Sequence, residues 1–172
     1  MILNNHVCIK LSAQDQAIFR SITQASPLPE GNVLPEDMFC TILYANQPID
    51  GFILNEQKHV VIIEGADIRY DPKLNMKNVV ITLDAPTLIK RREEICKEYN
   101  VKPIKDFDSA IVLIYDLPAY NKLTKWYINN CIINTFNGEY KGSAITLQGE
   151  SLVSTDGNSG LTADLTILNS MA

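Results

Sequence analysis

Two stretches of this chain recur in the same order at nearly the same spacing, and this recurrence constrains the fold more than any other feature. Residues 7–13 (VCIKLSA) and 79–85 (VVITLDA) lie 72 positions apart and are identical at four of seven positions. Residues 38–44 and 109–115 lie 71 positions apart, are both strand-like, and both end in tyrosine. An internal duplication of a strand, helix and strand unit explains both pairs. It predicts two similar halves that face each other across a central space.

The first half opens with apolar alternation that predicts a strand over residues 6–11. Ser12 is a suitable N-cap for a helix that runs to about Gln24. A second strand is predicted over 38–45, after a segment rich in proline and glycine. The apolar residues expected on the buried face of the helix are Ala17, Ile18 and Ile22.

The second half repeats this plan with a strand over 78–83, a helix and a strand over 109–116. Asp84 is the predicted N-cap, and Pro86 lies in the first turn, where proline is tolerated. Arg91 belongs to the charged side that is expected to face solvent. The residues expected on the buried face are Leu88, Ile89, Arg92, Ile95, Cys96 and Tyr99.

The remaining segments are predicted as strands. Between the two halves, residues 58–64 and 67–70 form two short strands with a hinge at Gly65. Residues 120–136 are compatible with either a helix or a strand, and the aromatic and β-branched residues favour a strand over 126–134. Asn137-Gly138 is typical of a hairpin turn, and 139–147 is the expected returning strand.

Composition sets the broad class of the protein. The chain has 172 residues, 46% hydrophobic and 20% charged, which is typical of one folded domain. A net charge of −5 argues against a broad electrostatic grip on nucleic acid. The N-terminus lacks the features of a signal peptide and no apolar run is long enough to span a membrane, so a cytosolic product without a membrane partner is expected. The four cysteines show no C-x-x-C pair, which favours free thiols over a metal site or disulfides; no metal and no cofactor is expected.

The last 31 residues, 142–172, contain no lysine or arginine and only three acidic residues. Their apolar residues still alternate, which is typical of strand rather than disorder. We therefore predict a domain over residues 1–141, with halves of about 1–72 and 73–141, followed by a C-terminal β-extension or arm over 142–172 that pairs with a partner. Deletion of 149–172 is expected to leave a folded monomer that no longer assembles.

Residues 35–44 (PEDMFCTILY), followed by Pro48-Ile49, resemble the first signature of the two-histidine phosphoesterases. The resemblance spans about residues 5–120 and is to phage enzymes that cleave the cyclic oligonucleotide signals of bacterial CBASS defence. It implies an α+β, bilobal, pseudo-two-fold fold. Two antiparallel or mixed sheets would face a central cleft, with one main helix per half and the β-rich extension added. In that family each half carries a His-x-Thr motif, and the two histidines act as general base and general acid.

This chain departs from the family pattern at three of the four motif positions. Phe39 and Ala110 stand where the histidines are expected, and Val112 replaces the second threonine, while Thr41 is retained. Neither strand offers an ionisable group, so no catalytic residue is assigned and a pseudoenzyme is predicted. His6 and His59 lie outside any His-x-Thr context and are expected to be partly exposed histidines at strand ends.

Two classes of function remain open at this point. In the first, the inactive body is a structural or interaction module, namely a phage virion accessory protein of the capsid, tail or baseplate. It would be made in the host cytoplasm and contact other phage subunits through the arm. In the second, the cleft sequesters a cyclic oligonucleotide or an RNA end, or retains residual phosphodiesterase activity. The candidate ligand-binding residues are Thr41, Tyr44, Tyr115 and Trp126, with Lys122 and Lys125 near Trp126; a role of the aromatic residues in the core or an interface is favoured over base stacking.

Overall fold

A computed structural model of the protein describes residues 4–25, 34–71, 76–115 and 122–155. The fold is α+β, with helices packed on a single six-stranded sheet. The strands are β1 (Asn4–Leu11), β2 (Phe39–Ala45), β3 (His59–Asp71), β4 (Met76–Asp84), β5 (Ala110–Ile114) and β6 (Ala144–Thr155). The helices are α1 (Ala13–Thr23), α2 (Pro86–Glu98), α3 (Lys122–Tyr127), a π-helical stretch (Ile128–Ile133) and α4 (Asn134–Gly138).

All strand pairs are antiparallel, and the order across the sheet is β2-β1-β6-β3-β4-β5. Pairing of residues 59–62 in β3 with 144–147 in β6 joins two three-stranded halves. One hydrogen-bonded sheet is therefore present where two sheets were predicted. The two edge strands, β2 and β5, nevertheless lie close to each other, so the sheet curves strongly enough to bring its edges together.

The hydrogen-bonding register repeats between the halves in detail. In each half an inner strand pairs with an edge strand, β1 with β2 and β4 with β5. In both pairs the register shifts because one residue of the outer, edge strand is skipped: Ile42 in β2 and Leu113 in β5. The pairs that flank this irregularity are Val7↔Leu43 and Cys8↔Thr41 in the first half, and Val79↔Ile114 and Val80↔Val112 in the second. Corresponding residues differ by 72 on the inner strands and 71 on the outer strands, which are the offsets of the sequence repeat. Because an extra residue bends and twists a strand locally, both halves have the same local geometry.

Helix α1 begins as predicted, since the Ser12 side chain accepts a hydrogen bond from the Asp15 N–H at 3.2 Å. Its buried face was predicted only in part. The buried residues are Gln16, Phe19 and Thr23; of the predicted residues, Ile22 is partly buried against the core, whereas Ala17 and Ile18 are exposed. Phe19 packs against Phe136 with ring centroids 5.1 Å apart, so the side of the helix that carries Phe19 faces the core.

Helix α2 has Pro86 at its start, as predicted, but its cap and face differ from the prediction. Ala85, not Asp84, is the N-cap, and no side chain caps the helix. Ile89 is exposed while Arg91 is buried, because Arg91 meets an acidic partner on the sheet.

Residues 122–138 are helical, so the predicted strand over 126–134 and the hairpin at Asn137-Gly138 are wrong. Ile128, Ile132 and Phe136 are fully buried at a spacing of four residues, and this packing outweighs the β preference of the individual residues. The Asn137 side chain accepts a hydrogen bond from the Ala66 N–H at 2.7 Å instead of forming a turn.

Strand β6 is the largest departure from the prediction. Residues 144–155, which were assigned to an arm or edge extension, pair with β1 on one side and β3 on the other. The two partners overlap only at Leu147: residues 144–147 pair with β3, and the rest of the strand pairs with β1. β6 therefore lies between β1 and β3 in the strand order and is part of the sheet. Residues 156–172 lie outside the described residues. The predicted hinge at Gly65 is a register shift within the continuous strand β3.

The core lies between one face of the sheet and the helices. It includes Ile9, Ile81, Leu88, Ile132 and Leu147, all fully buried. Among the described residues, no helix combines the length and the apolar character needed to cross a membrane.

Candidate functional site

The four predicted motif positions lie at equivalent places on the two edge strands that approach each other. Phe39 and Thr41 of β2 pair with Lys10 and Cys8 of β1. Ala110 and Val112 of β5 pair with Thr82 and Val80 of β4. Phe39 is buried, whereas Thr41, Ala110 and Val112 are partly exposed, on the strand face opposite to that of the fully buried Ile111. The four positions therefore lie on two edge strands that are close to each other, and their role as the walls of one cleft stays a prediction.

Of these four positions, only Thr41 has a polar side-chain group, its hydroxyl. Thr41 Oγ1 accepts a hydrogen bond from the Tyr44 hydroxyl at 3.3 Å and lies 3.9 Å from Cys8 Sγ. The skipped residue Ile42 explains this contact, because it brings the side chains of positions 41 and 44 to the same side of the strand. Thr41 and Tyr44 were both predicted as ligand-binding candidates, and the structure places them together.

Tyr44 is the centre of a small polar cluster. The His6 ring meets it edge-on, with centroids 4.6 Å apart and an interplanar angle of 90°. Lys105 Nζ lies 3.8 Å from the centroid of the Tyr44 ring, within the range of a cation–π contact. His6 and Lys105 had not been linked to the site, since they lie 38 residues before and 61 residues after Tyr44.

His6 is fully buried, so its prediction as a partly exposed strand-end histidine is wrong. Burial, with the nearby positive charge of Lys105, lowers its pKa from 6.5 to about 4. The imidazole is then neutral at physiological pH, and a group with so low a pKa is a poor general acid there.

The segment that carries Lys105 is fastened to the end of β2. The Ile104 N–H donates to the Tyr44 carbonyl at 2.9 Å, and Arg92 donates to the Lys105 carbonyl at 2.7 Å. Pro103 forms an isolated bridge with Ala45. These contacts hold the backbone of Lys105 in place beside Tyr44.

The other predicted ligand-binding aromatic residues are placed differently. Tyr115 is only 2% exposed and is thus part of the interior. Trp126 is 58% exposed on α3, and its neighbour Tyr127 donates to the Thr23 carbonyl at 3.5 Å, which places this helix beside the end of α1. Lys125 is exposed on the same helix, and the side chain of Lys122 lies outside the described part.

A second buried polar cluster, on the other face of the sheet, joins α2 to β6. Arg91 donates to Glu150 through Nε at 2.7 Å and through Nη2 at 2.9 Å, and these bonds raise the pKa of Arg91. The Asn55 N–H donates to the same carboxylate at 2.9 Å. His59 is also buried nearby, contrary to its prediction as a partly exposed residue, and burial lowers its pKa. The spacing of Arg91 between Leu88 and Ile95 on one helical face was the signal in the sequence for this cluster.

The described residues contain no group of three or more histidine, cysteine or acidic side chains that could hold a metal ion. The four cysteines are free thiols, with Cys8 and Cys40 buried and Cys96 and Cys131 partly exposed. Burial raises the pKa of Cys96.

Comparison with solved structures finds similarity to Usb1 of Kluyveromyces marxianus, at 10% sequence identity and a TM-score of 0.46. The similarity covers 91% of this chain and 95% of the Usb1 chain. The structure of the same Usb1 with uridine monophosphate gives a TM-score of 0.48 at the same identity and coverage. No protein-family model and no curated protein matches the chain.

Proposed function

We propose that the protein is a phosphoesterase-like pseudoenzyme whose cleft binds a nucleotide phosphodiester without cleaving it. The observation that carries this proposal is the repeated register of the two halves, which puts Phe39 and Ala110 at equivalent positions on the approaching edge strands. In a two-histidine phosphoesterase these would be the acid and base positions. General acid–base catalysis contributes about 10²–10⁴-fold through a positioned ionisable group, and neither side chain has one.

A binding role is supported by the polar groups that the cleft retains. Thr41 keeps its hydroxyl, and Lys105 adds a positive charge beside the aromatic face of Tyr44. Hydroxyl, cation and aromatic ring are the groups that proteins use to hold phosphate and base. The sequestered ligand is a cyclic oligonucleotide or an RNA end.

The structural role as a phage virion accessory protein, in a capsid, tail or baseplate, is the second candidate. It had rested on a free arm, and residues 144–155 are instead an interior strand. Exposed apolar side chains now favour an interaction surface, because Ile53 is 74% and Leu54 50% exposed in the loop before β3, and Val60 is 59% exposed on β3.

Calorimetric titration with cyclic dinucleotides, cyclic trinucleotides and a short single-stranded RNA, followed by chromatography of the ligand, tests the proposal. The expected result is binding with the ligand recovered intact. Cleavage of the ligand would overturn the assignment as a pseudoenzyme. Absence of binding at high micromolar ligand would remove the nucleotide role and leave the interaction module.

Reinstallation of the missing groups tests the equivalence of the two strands. The triple variant Phe39→His, Ala110→His, Val112→Thr is expected to cleave a bound cyclic trinucleotide measurably. The matched control is the double variant Phe39→His, Val112→Thr, which lacks one of the two histidines and is expected to remain inactive. Equal activity in the triple and double variants would contradict a two-histidine site at these positions.

A further inference from the structure

We infer that Lys105 is the phosphate contact of the cleft and acts together with the hydroxyl of Thr41. This inference rests on the proposed binding function, and it adds the position of the phosphodiester within the cleft. The phosphate would occupy the end of the cleft at Tyr44, with the two donors on either side of that residue.

The first argument is the placement of Lys105. When a lysine on a loop binds a ligand, both its backbone and its side chain lose conformational entropy. A backbone that is already held in place removes the backbone part of that cost. Here the carbonyl of Lys105 accepts from Arg92, and the preceding N–H donates to Tyr44. Both sides of Lys105 are therefore anchored, one on α2 and the other on β2.

The second argument is the balance of charge around the cleft. Lys10, which pairs with Phe39 across the strands, forms an ion pair with Asp37 at 3.2 Å. Lys105 forms no ion pair with a carboxylate among the described residues, and it contacts the face of the Tyr44 ring. A cation over an aromatic ring keeps its donors available for an anion, whereas a cation paired with a carboxylate is partly neutralised.

The third argument is that Tyr44 links the two donors. Its ring face receives the ammonium group, and its hydroxyl donates to Thr41 Oγ1, so the Thr41 O–H can turn from the weak acceptor Cys8 Sγ, at 3.9 Å, to a phosphate oxygen. Thr41 is partly exposed, so this donor is accessible to a ligand in the cleft. The equivalent position in the other half is Val112, which has no donor. The phosphate therefore binds asymmetrically, in the half that retained its threonine.

The test uses the full-length protein and a fluorescent cyclic trinucleotide, with Kd measured by anisotropy between 50 and 300 mM salt. Lys105→Met is expected to weaken binding about tenfold to a hundredfold, the range for a charge-assisted hydrogen bond. It should also lower the slope of log affinity against log salt by about 0.7, because one phosphate contact is lost. Lys105→Arg should retain most of both, and Thr41→Val should weaken binding about twofold to tenfold without changing the slope.

Lys102→Met is the matched control, since Lys102 is an exposed lysine three positions earlier in the same segment. It is expected to leave the affinity and the salt slope unchanged. Far-ultraviolet circular dichroism of each variant checks that the fold is retained. Equal effects of Lys102→Met and Lys105→Met, or an unchanged salt slope in Lys105→Met, would overturn the assignment of Lys105 while leaving nucleotide binding intact.

A second probe separates this inference from the proposed function. Inorganic pyrophosphate, followed by NMR of the backbone amides, is expected to shift the signals of Thr41 and Lys105, and these shifts should vanish in Lys105→Met. If pyrophosphate shifts them but no nucleotide binds, the anion site stands and the nucleotide role fails. If neither probe perturbs them, both are refuted.

Discussion

The buried ion pair between Arg91 and Glu150 should be the most sensitive polar contact of the fold. The Glu150 side chain is 0% exposed and accepts three hydrogen bonds, two from Arg91 and one from the Asn55 N–H. Glu150→Ala would leave the guanidinium of Arg91, whose side chain is 8% exposed, beside only the distant carboxylate of Glu94 at 3.8 Å. Removal of one partner from a buried pair costs about 3–5 kcal/mol, a large share of the roughly 5–15 kcal/mol that stabilises a typical domain.

Urea unfolding followed by circular dichroism measures this loss of free energy, and thermal unfolding followed in the same way gives the shift in melting temperature. Each kcal/mol shifts the melting temperature of a chain of this size by about 2–4 °C, so Glu150→Ala should lower it by about 6–20 °C. The double variant Arg91→Met, Glu150→Leu should recover much of the stability, because it leaves no unpaired buried charge. Glu94→Ala is the control; its side chain is 49% exposed, and its loss should cost less than about 1 kcal/mol.

Two outcomes would refute the reasoning. One is a loss below about 1 kcal/mol for Glu150→Ala. The other is a double variant whose loss equals the sum of the losses measured for Arg91→Met and Glu150→Leu as single variants, since groups that interact directly are not additive.

Three further predictions concern pH, packing and the last strand. The pKa of His6 is about 4 in the folded protein and 6.5 when unfolded, so below pH 6.5 the unfolded state binds more protons than the folded state. The free energy of unfolding should therefore fall by about 3 kcal/mol as the pH drops from above 6.5 to 4. Urea titrations over this pH range should show that His6→Phe loses this dependence. Gly65→Ala should lower the free energy of unfolding by about 1–3 kcal/mol in the same assay, because the added Cβ would lie 2.5 Å from Asn137 Oδ1. Combining it with Asn137→Ala should relieve part of this loss. Deletion of 149–172 should abolish cooperative unfolding, since it removes most of the part of β6 that pairs with β1; a folded, cooperative product would show that this part of the strand is dispensable.

Local pattern predicted the elements whose signals are contained within a few residues. The capping of α1 by Ser12 and the start of α2 at Pro86 depend on neighbouring backbone groups, and both are confirmed. The helix over 122–138 shows where this approach fails. Its residues prefer strands individually, but Phe136 gains more by packing on Phe19, and that contact joins segments more than 100 residues apart.

The sequence by itself predicted the internal repeat, with Phe39 equivalent to Ala110 and Thr41 to Val112, and the repeated strand register agrees with it. That these are motif positions which have lost their ionisable groups stays a prediction. These properties follow from residue identity and spacing. Only the tertiary structure decided that β6 lies in the middle of the sheet, that Glu150 meets Arg91, and that Lys105 stands over Tyr44. Strand order and buried partners are selected by packing of the whole chain, because a backbone edge or a buried charge is satisfied by any segment that reaches it with the right geometry.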